Sequence, residues 1–232
     1  MGQLETESPF YTFNYMEVSW ENITVKQFQL IYSVICSDRD DIDKQTAVLC
    51  LLLNTTPAII EDMAVVDYNK LCQQTAFIFS KDIPGNPVQI IKASGKRYAI
   101  EYNPKKYKQR QYVETQHFLK GDTIANLHLL MASNVREVKG RWLFQRLLPN
   151  DSNKHEDVAN DLLEAPFINV YHSCVFFCKL FRAYMVSFQG YLTKEMMKES
   201  PTIARHLNET MSSFIHILDG YTTPDKLPTS KG

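Results

Sequence analysis

One segment limits the possible folds more than any other. From residue 167 to residue 188 the chain is apolar on almost every side, with Phe167, Val170, Cys174, Phe176, Phe177, Phe181, Met185 and Phe188 following one another at short intervals. A stretch of this length is long enough to span a bilayer as a helix. Lys179 and Arg182 stand near its centre, where each charge costs about 2.5–3.5 kcal/mol in lipid. The expectation is therefore a core helix over residues 167–190, surrounded by other helices. Such a helix needs elements to wrap it, and the remaining sequence supplies them.

Thr24 is a plausible N-cap for a helix with Phe28, Ile31, Tyr32 and Ile35 at helical spacing. The acidic linker over residues 38–43 opens a second helix running to Leu53, its carboxylates favoured by the N-terminal dipole. Thr56 and Pro57 read as cap and first position of a third helix through Ile59, Ile60 and Met63. Residues 67–79 make a fourth, with Leu71, Thr75 and Ile78 on one face. Residues 23–80 thus form an acidic helical unit. Ahead of it, residues 1–22 mix acids with Phe10, Tyr11, Phe13, Tyr15 and Trp20 without a sustained period, which suits an extended arm that packs through its side-chain rings.

Pro84, Gly85, Asn86 and Pro87 break the helical pattern, and residues 88–102 carry a β-hairpin signal turning at Ala93, Ser94, Gly95 and Lys96. Residues 103–220 read as a basic segment followed by a helical bundle. Helical spacing covers residues 112–119, then restarts at Asp122, a good N-cap, through Ile124, Leu127, Leu130 and Met131. Residues 136–148 favour neither period, and residues 149–153 have loop composition. A short amphipathic helix over residues 155–164 precedes the apolar one, and Pro201 begins a last helix through Ile203, Leu207, Met211, Phe214 and Leu218, stopped by Gly220. Residues 221–232 have the composition of a C-terminal tail. The fold class expected is α+β, mainly α-helical: a helical bundle with a small β-hairpin or sheet in the middle and extended arms at both ends. Only 8 glycines in 232 residues argue against turn-dense all-β folds and Gly-rich phosphate loops.

A catalytic constellation is harder to find. Gly95-Lys96 lacks the earlier Gly of a P-loop, with Ile90 in its place, and Arg97 stands where Ser or Thr is required. Cys174 and Cys178 are one helical turn apart with His172 nearby, but Val175, Phe176, Phe177 and Phe181 around them pack a core, and no second Cys/His pair completes four ligands. His117, His128, His155, His206 and His216 form no close cluster in sequence. The acid pairs Asp40-Asp41, Glu61-Asp62 and Glu156-Asp157 lie on short helices where solvated carboxylates are ordinary. We expect no catalytic residues, no cofactor and no metal. The N-terminal residues lack a basic region and an apolar run, so the chain is expected to stay in a reducing cytoplasm. The odd set Cys36, Cys50, Cys72, Cys174 and Cys178 is then expected as buried thiols, and the sequons at Asn22, Asn54 and Asn208 carry no chemistry.

Charge is the functional clue. The formal net charge is −1, yet residues 1–67 hold 3 basic and 11 acidic groups, residues 68–148 hold 14 and 5, and residues 149–232 hold 8 and 10. Lys92, Lys96, Arg97, Lys105, Lys106, Lys108 and Arg110 stand against a lone Glu101, interleaved with Tyr98, Tyr102, Tyr107 and Tyr112. Such a segment can be a solvated hairpin, can dock on an acidic protein surface, or can neutralise phosphates while its tyrosines stack on bases.

The order of elements resembles a known class. Thr24-Val25-Lys26-Gln27-Phe28 opens the helical unit, Thr56-Pro57 follows, then the hairpin Gly95-Lys96-Arg97-Tyr98, the helix Gln111-Tyr112-Val113-Glu114 and the late Val175-Phe176-Phe177. Over about residues 24–190 this layout is similar to small structural proteins encoded in the head–tail gene blocks of crAss-like and related tailed phages of gut bacteria. The resemblance implies a non-enzymatic virion component made in the bacterial host cytoplasm, a ring or connector subunit near the portal. Its implied partners are further copies of itself and other head–tail proteins, portal and tail components among them. Two alternatives are a tail-assembly chaperone not retained in the virion and a nucleic-acid-binding protein using residues 92–110.

Overall fold

Polar caps start the first helices of the chain, whose residues 18–80, 82–140, 146–148 and 154–219 are described in a computed structural model. The Thr24 hydroxyl accepts from the Gln27 N–H at 3.1 Å and opens α1 (Val25–Ile35). Asp40 does the same for α2 (Asp41–Leu53), accepting from the Asp43 N–H at 2.8 Å. Asn54 ends α2 in the left-handed conformation, which its side chain tolerates. Pro57 begins α3 (Pro57–Glu61), but the Thr56 hydroxyl makes no cap bond and the helix stops before Met63. α4 (Val65–Thr75) gives way to a 3-10 turn, Ala76–Phe79, where one continuous helix was expected. At the junction the Thr75 hydroxyl donates to the Leu71 carbonyl at 2.8 Å, a back-bond that bends helices.

The predicted hairpin is present as β1 (Ile90–Ala93) and β2 (Lys96–Ile100), joined by Ser94 and Gly95, both at positive φ as a tight two-residue hairpin turn requires. It is half of a larger sheet. β3 (Val135–Lys139) and β4 (Arg146–Leu147) come from the segment without a clear period, and the antiparallel order is β1-β2-β3-β4. Between β2 and β3 the chain forms a 3-10 turn, Pro104–Lys106, then α5 (Gln109–Leu119) and α6 (Thr123–Asn134), the latter capped by Asp122 on the Ala125 N–H at 3.0 Å. α6 passes into β3 without an intervening loop.

α7 (His155–Leu163) leads to α8 (Phe167–Glu199) and α9 (Pro201–Asp219). α8 runs through Gly190 rather than stopping there. A Cβ at Gly190 would meet nothing within 4 Å, so the glycine imposes only a propensity cost of about 1 kcal/mol. The break falls at Ser200 instead, held extended (φ −152°, ψ 94°) before Pro201. α8 is also not enclosed all round as expected. Phe167, Val170, Cys174, Phe177, Phe181 and Met185 point into the core, while Phe176, Val186 and Phe188 are each more than a third exposed.

The core is built on that inward stripe. Phe28 of α1 stacks on Phe167 with centroids 3.8 Å apart, and Trp20 packs against Phe28, Phe77 and Phe167. Further along, Tyr107 lies 5.6 Å from Phe177, and Phe181 meets Tyr112 and Phe214. Leu49, Ile60 and Leu71 form a satellite cluster under α2, α3 and α4. Trp20 is buried at the head of a 3-10 turn, Trp20–Asn22, so the end of the predicted arm packs through its ring but is not extended; residues 1–17, the loop over residues 149–153 and the tail over residues 221–232 lie outside the described residues. Cys174 and Cys178 are buried as expected, Cys50 and Cys72 are half-buried, and Cys36 is exposed, because it follows the last turn of α1. Among the described residues no helix is long and apolar enough to cross a membrane.

The segment leading into β1 is pinned to α8. The Ser173 hydroxyl accepts from the Val88 N–H at 3.1 Å, and the Tyr102 hydroxyl donates to the Val88 carbonyl at 2.7 Å. Gly85, at φ +144°, lies so close to the His172 ring that an added Cβ would stand 2.6 Å from its Cδ2. Gly85→Ala is expected to destabilise the fold by about 1–3 kcal/mol through clash and backbone strain together. Urea unfolding measures this, and an unchanged midpoint would contradict the contact.

Candidate functional site

The seven cations singled out by sequence divide into held and unheld groups. Lys96 Nζ lies 2.6 Å from an Asp161 carboxylate oxygen that also accepts from the Tyr98 hydroxyl, tying the hairpin to α7. Arg110 Nε forms an ion pair with Glu114 Oε1, 3.1 Å away across one helical turn. Lys106 stands 3.8 Å from Glu101, whose same oxygen takes Arg136 at 2.7 Å. Glu101 is more than a counter-ion: its N–H donates to the Asn134 carbonyl, its carbonyl accepts from the Tyr107 hydroxyl, and its second carboxylate oxygen accepts from the Asn103 N–H.

Lys92, Arg97, Lys105 and Lys108 form no salt bridge among the described residues. Lys92 and Arg97 are register partners in the β1–β2 pair. Like charges directly opposite one another weaken a sheet, so this face gains from an anionic group laid against it. Lys105 and Lys108 flank Tyr107 at the approach to α5 and are exposed.

The tyrosines of this segment are turned inward. Tyr98 is fully buried, Tyr102 packs edge-on against Phe176, Tyr107 stacks on Phe177, and Tyr112 packs against Phe181 and Phe214. Burial raises the pKa of all four above the ordinary phenol value, so they remain neutral rings inside the protein. Stacking on bases, the part of the nucleic-acid reading that depended on them, loses its residues.

Beside Lys108 the structure places a groove of about 300 Å³ between α5, α8 and α9. Phe181, Tyr184, Met185, Phe188 and Leu192 of α8 form one wall, and Leu207 and Met211 of α9 form the other. Tyr107 and Tyr112 close the α5 end, Lys108, Gln109 and Thr210 add polar groups, and among the described residues no carboxylate lines it. Methionine and aromatic walls adapt to apolar side chains of varied shape. Reading residues 167–190 as an enclosed helix hid this groove. Arg182, Tyr184 and Gln189, which thin the apolar run after residue 181, were the available signal.

The other polar groupings are small. Among the described residues no three His, Cys, Asp or Glu side chains come together as metal ligands. His155 Nε2 lies 3.1 Å from the Ser133 hydroxyl, but Ser133 is fully buried and no carboxylate orients the imidazole. His128 Nδ1 accepts from Gln29 Nε2 at 3.0 Å, and burial, reinforced by His155, lowers its pKa. Cys174 hydrogen-bonds Cys178, and that bond together with complete burial keeps Cys178 protonated. The three acid pairs are exposed at helix ends.

No family model, curated protein or solved structure matches this chain.

Burial works to raise the Asp161 pKa, but the hydrogen bonds from Lys96 and Tyr98 outweigh it and hold the carboxyl below its ordinary value. A carboxylate with a depressed folded pKa stabilises the fold above its unfolded value, about 3.9, and that contribution disappears as pH falls through the folded value. Asp161→Asn is therefore expected to lower the thermal midpoint at pH 7 and to lose that deficit below about pH 4. A deficit of the same size at every pH would overturn the ion-pair account.

Proposed function

We propose that this chain is a non-enzymatic assembly protein: a ring or connector subunit of the head–tail junction of a tailed-phage virion, made in the bacterial host cytoplasm and contacting copies of itself and portal or tail proteins. The observation that carries this reading is that the chain's opposite charges do not satisfy one another. Asp38, Asp40, Asp41, Asp43, Glu61, Asp62 and Asp67 are exposed on the α2–α4 unit and form no salt bridge among the described residues. Ile42, Val65 and Val66 of the same unit are 73, 73 and 78% exposed. The four unheld cations lie elsewhere, on the β1–β2 face and at the approach to α5.

Two unlike surfaces on one subunit are what a heterologous contact needs, in which one face meets a different face of the next copy and repetition closes a ring. Complementary charge steers such contacts and fixes their register, and exposed apolar side chains supply the area to bury. The groove beside Lys108 supports a second reading, a tail-assembly chaperone that holds a segment of another protein and leaves before the virion is complete. Mass spectrometry of purified particles separates the two. A stoichiometric, high-copy chain is expected for a connector, and its absence would favour the chaperone.

Sedimentation velocity tests the self-association directly. At about 50 mM salt, where screening is weak, we expect species heavier than the monomer that dissociate toward about 500 mM. The double substitution Lys92→Glu, Arg97→Glu should move dissociation to lower salt. A chain that sediments as a monomer in every condition would sink the connector reading.

A further inference from the structure

We propose that the groove between α5, α8 and α9 receives residues 1–17 of a second copy of this chain. The inference rests on the self-association reading and names its contact. The groove is open, with Phe188 39% exposed and Tyr184 half-buried, and its chemistry selects its occupant. Its walls are aromatic, methionine and leucine side chains, its lip carries Lys108, with exposed Lys105 three residues before it, and among the described residues no carboxylate lines it. Residues 1–17 offer the complement: four aromatic side chains, three glutamates and no Lys or Arg.

Spacing agrees with chemistry. Tyr11, Phe13 and Tyr15 alternate with Thr12, Asn14 and Met16. Bound as a strand, such a segment presents its three rings on one side over about 13 Å. The α8 wall from Phe181 to Leu192 is about 16 Å long at 1.5 Å per residue. Each ring then falls near one helical turn of the wall.

Reach favours a neighbour's segment over a copy's own. Trp20 is fixed against Phe167 at the start of α8, with centroids 6.0 Å apart. Phe181 lies about 21 Å further along that helix and Phe188 about 32 Å. Counting back from Trp20, Tyr15 can be at most about 18 Å away and Tyr11 at most about 32 Å. A copy's own segment would have to be drawn fully taut along α8 to bring its rings to this wall, Tyr15 still ending about 3 Å short of Phe181, whereas that of a neighbour is free of this tether. One chain then gives its N-terminal segment to the next and receives one in turn, a head-to-tail contact that continues around a ring.

The test uses two full-length variants that break opposite halves of the contact. Tyr11→Ser, Phe13→Ser, Tyr15→Ser disables the donated segment and leaves the groove, and Phe188→Asp disables the groove and leaves the segment. Circular dichroism confirms that each is folded, and Tyr184→Asp, a half-buried site on the same wall, serves as the groove variant if Phe188→Asp is not. By native mass spectrometry each variant alone should be monomeric, and a mixture of the two should form a 1:1 pair that grows no further. Lys108→Glu alone should weaken wild-type association by about two- to fivefold, the scale of an exposed charge pair. If the wild type associates and both variants still do so alone, or if the mixture stays monomeric, the groove assignment fails while self-association stands. If the wild type itself never associates, the connector reading fails and this contact falls with it.

Discussion

The rest of the molecule depends on a column of aromatic side chains along one side of α8. Phe167 near its start receives Phe28 and Trp20, which fixes α1 and the 3-10 turn before it. Phe177 and Phe181, three and four turns on, receive Tyr107, Tyr112 and Phe214, which fixes the approach to α5 and the end of α9. Fully burying one such side chain is worth about 1.5–3 kcal/mol, and favourable pair geometry adds about 0.5–1.5 kcal/mol. Against a net stability of about 5–15 kcal/mol for a domain, a few of these contacts decide whether the helices stay together. The sheet is attached differently. It joins the column through Tyr102 on Phe176 and through the seamless passage of α6 into β3, and it is held at its far side by Asp161.

This division explains where charge remains available. Aromatic packing secures the helices, so the acids of α2–α4 are not needed for the monomer's cohesion. The basic segment is split by the same logic. Cations next to a carboxylate are drawn into the fold, Lys96 by Asp161 of α7 and Arg110 by Glu114 one turn along α5. Lys92, Arg97, Lys105 and Lys108 have no such neighbour among the described residues. Counting charge along the sequence located the basic region, but only the tertiary arrangement separates the ions that build the structure from those left for a partner.

Local signals carried far in this sequence. Thr24, Asp40 and Asp122 cap helices where expected because a cap is a contact between residues three apart, legible without knowing the fold. Ser94 and Gly95 turn the hairpin for a similarly local reason. β3 and β4 were not legible because β3 takes its strand character from pairing with β2, some 35 residues away, β4 takes its own from β3, and α6 leads into β3 with no turn residue to announce a change. The course of α8 was misjudged at both scales: Gly190 costs a helix little where a neighbouring helix packs alongside, and an apolar run does not reveal how many sides are covered. The groove is the product of that uncovered side, so it could not be read from hydrophobicity alone. The tyrosines of the basic segment teach the same lesson in reverse, since their spacing among lysines suggested a surface and their rings lie inside.

Glu101 has a mechanical role that its charge alone would not suggest. One residue ends the β2 ladder, meets the last residue of α6, supports Tyr107 through its carbonyl, and grips cations from both β3 and the 3-10 turn. It is a stiff joint between the sheet and the short basic approach to α5. A force applied at Lys108 or Tyr107 has little slack to absorb it before it reaches β2 and β3. The groove lip and the sheet face therefore move as one piece, and a pull at one edge of the molecule is delivered to the other.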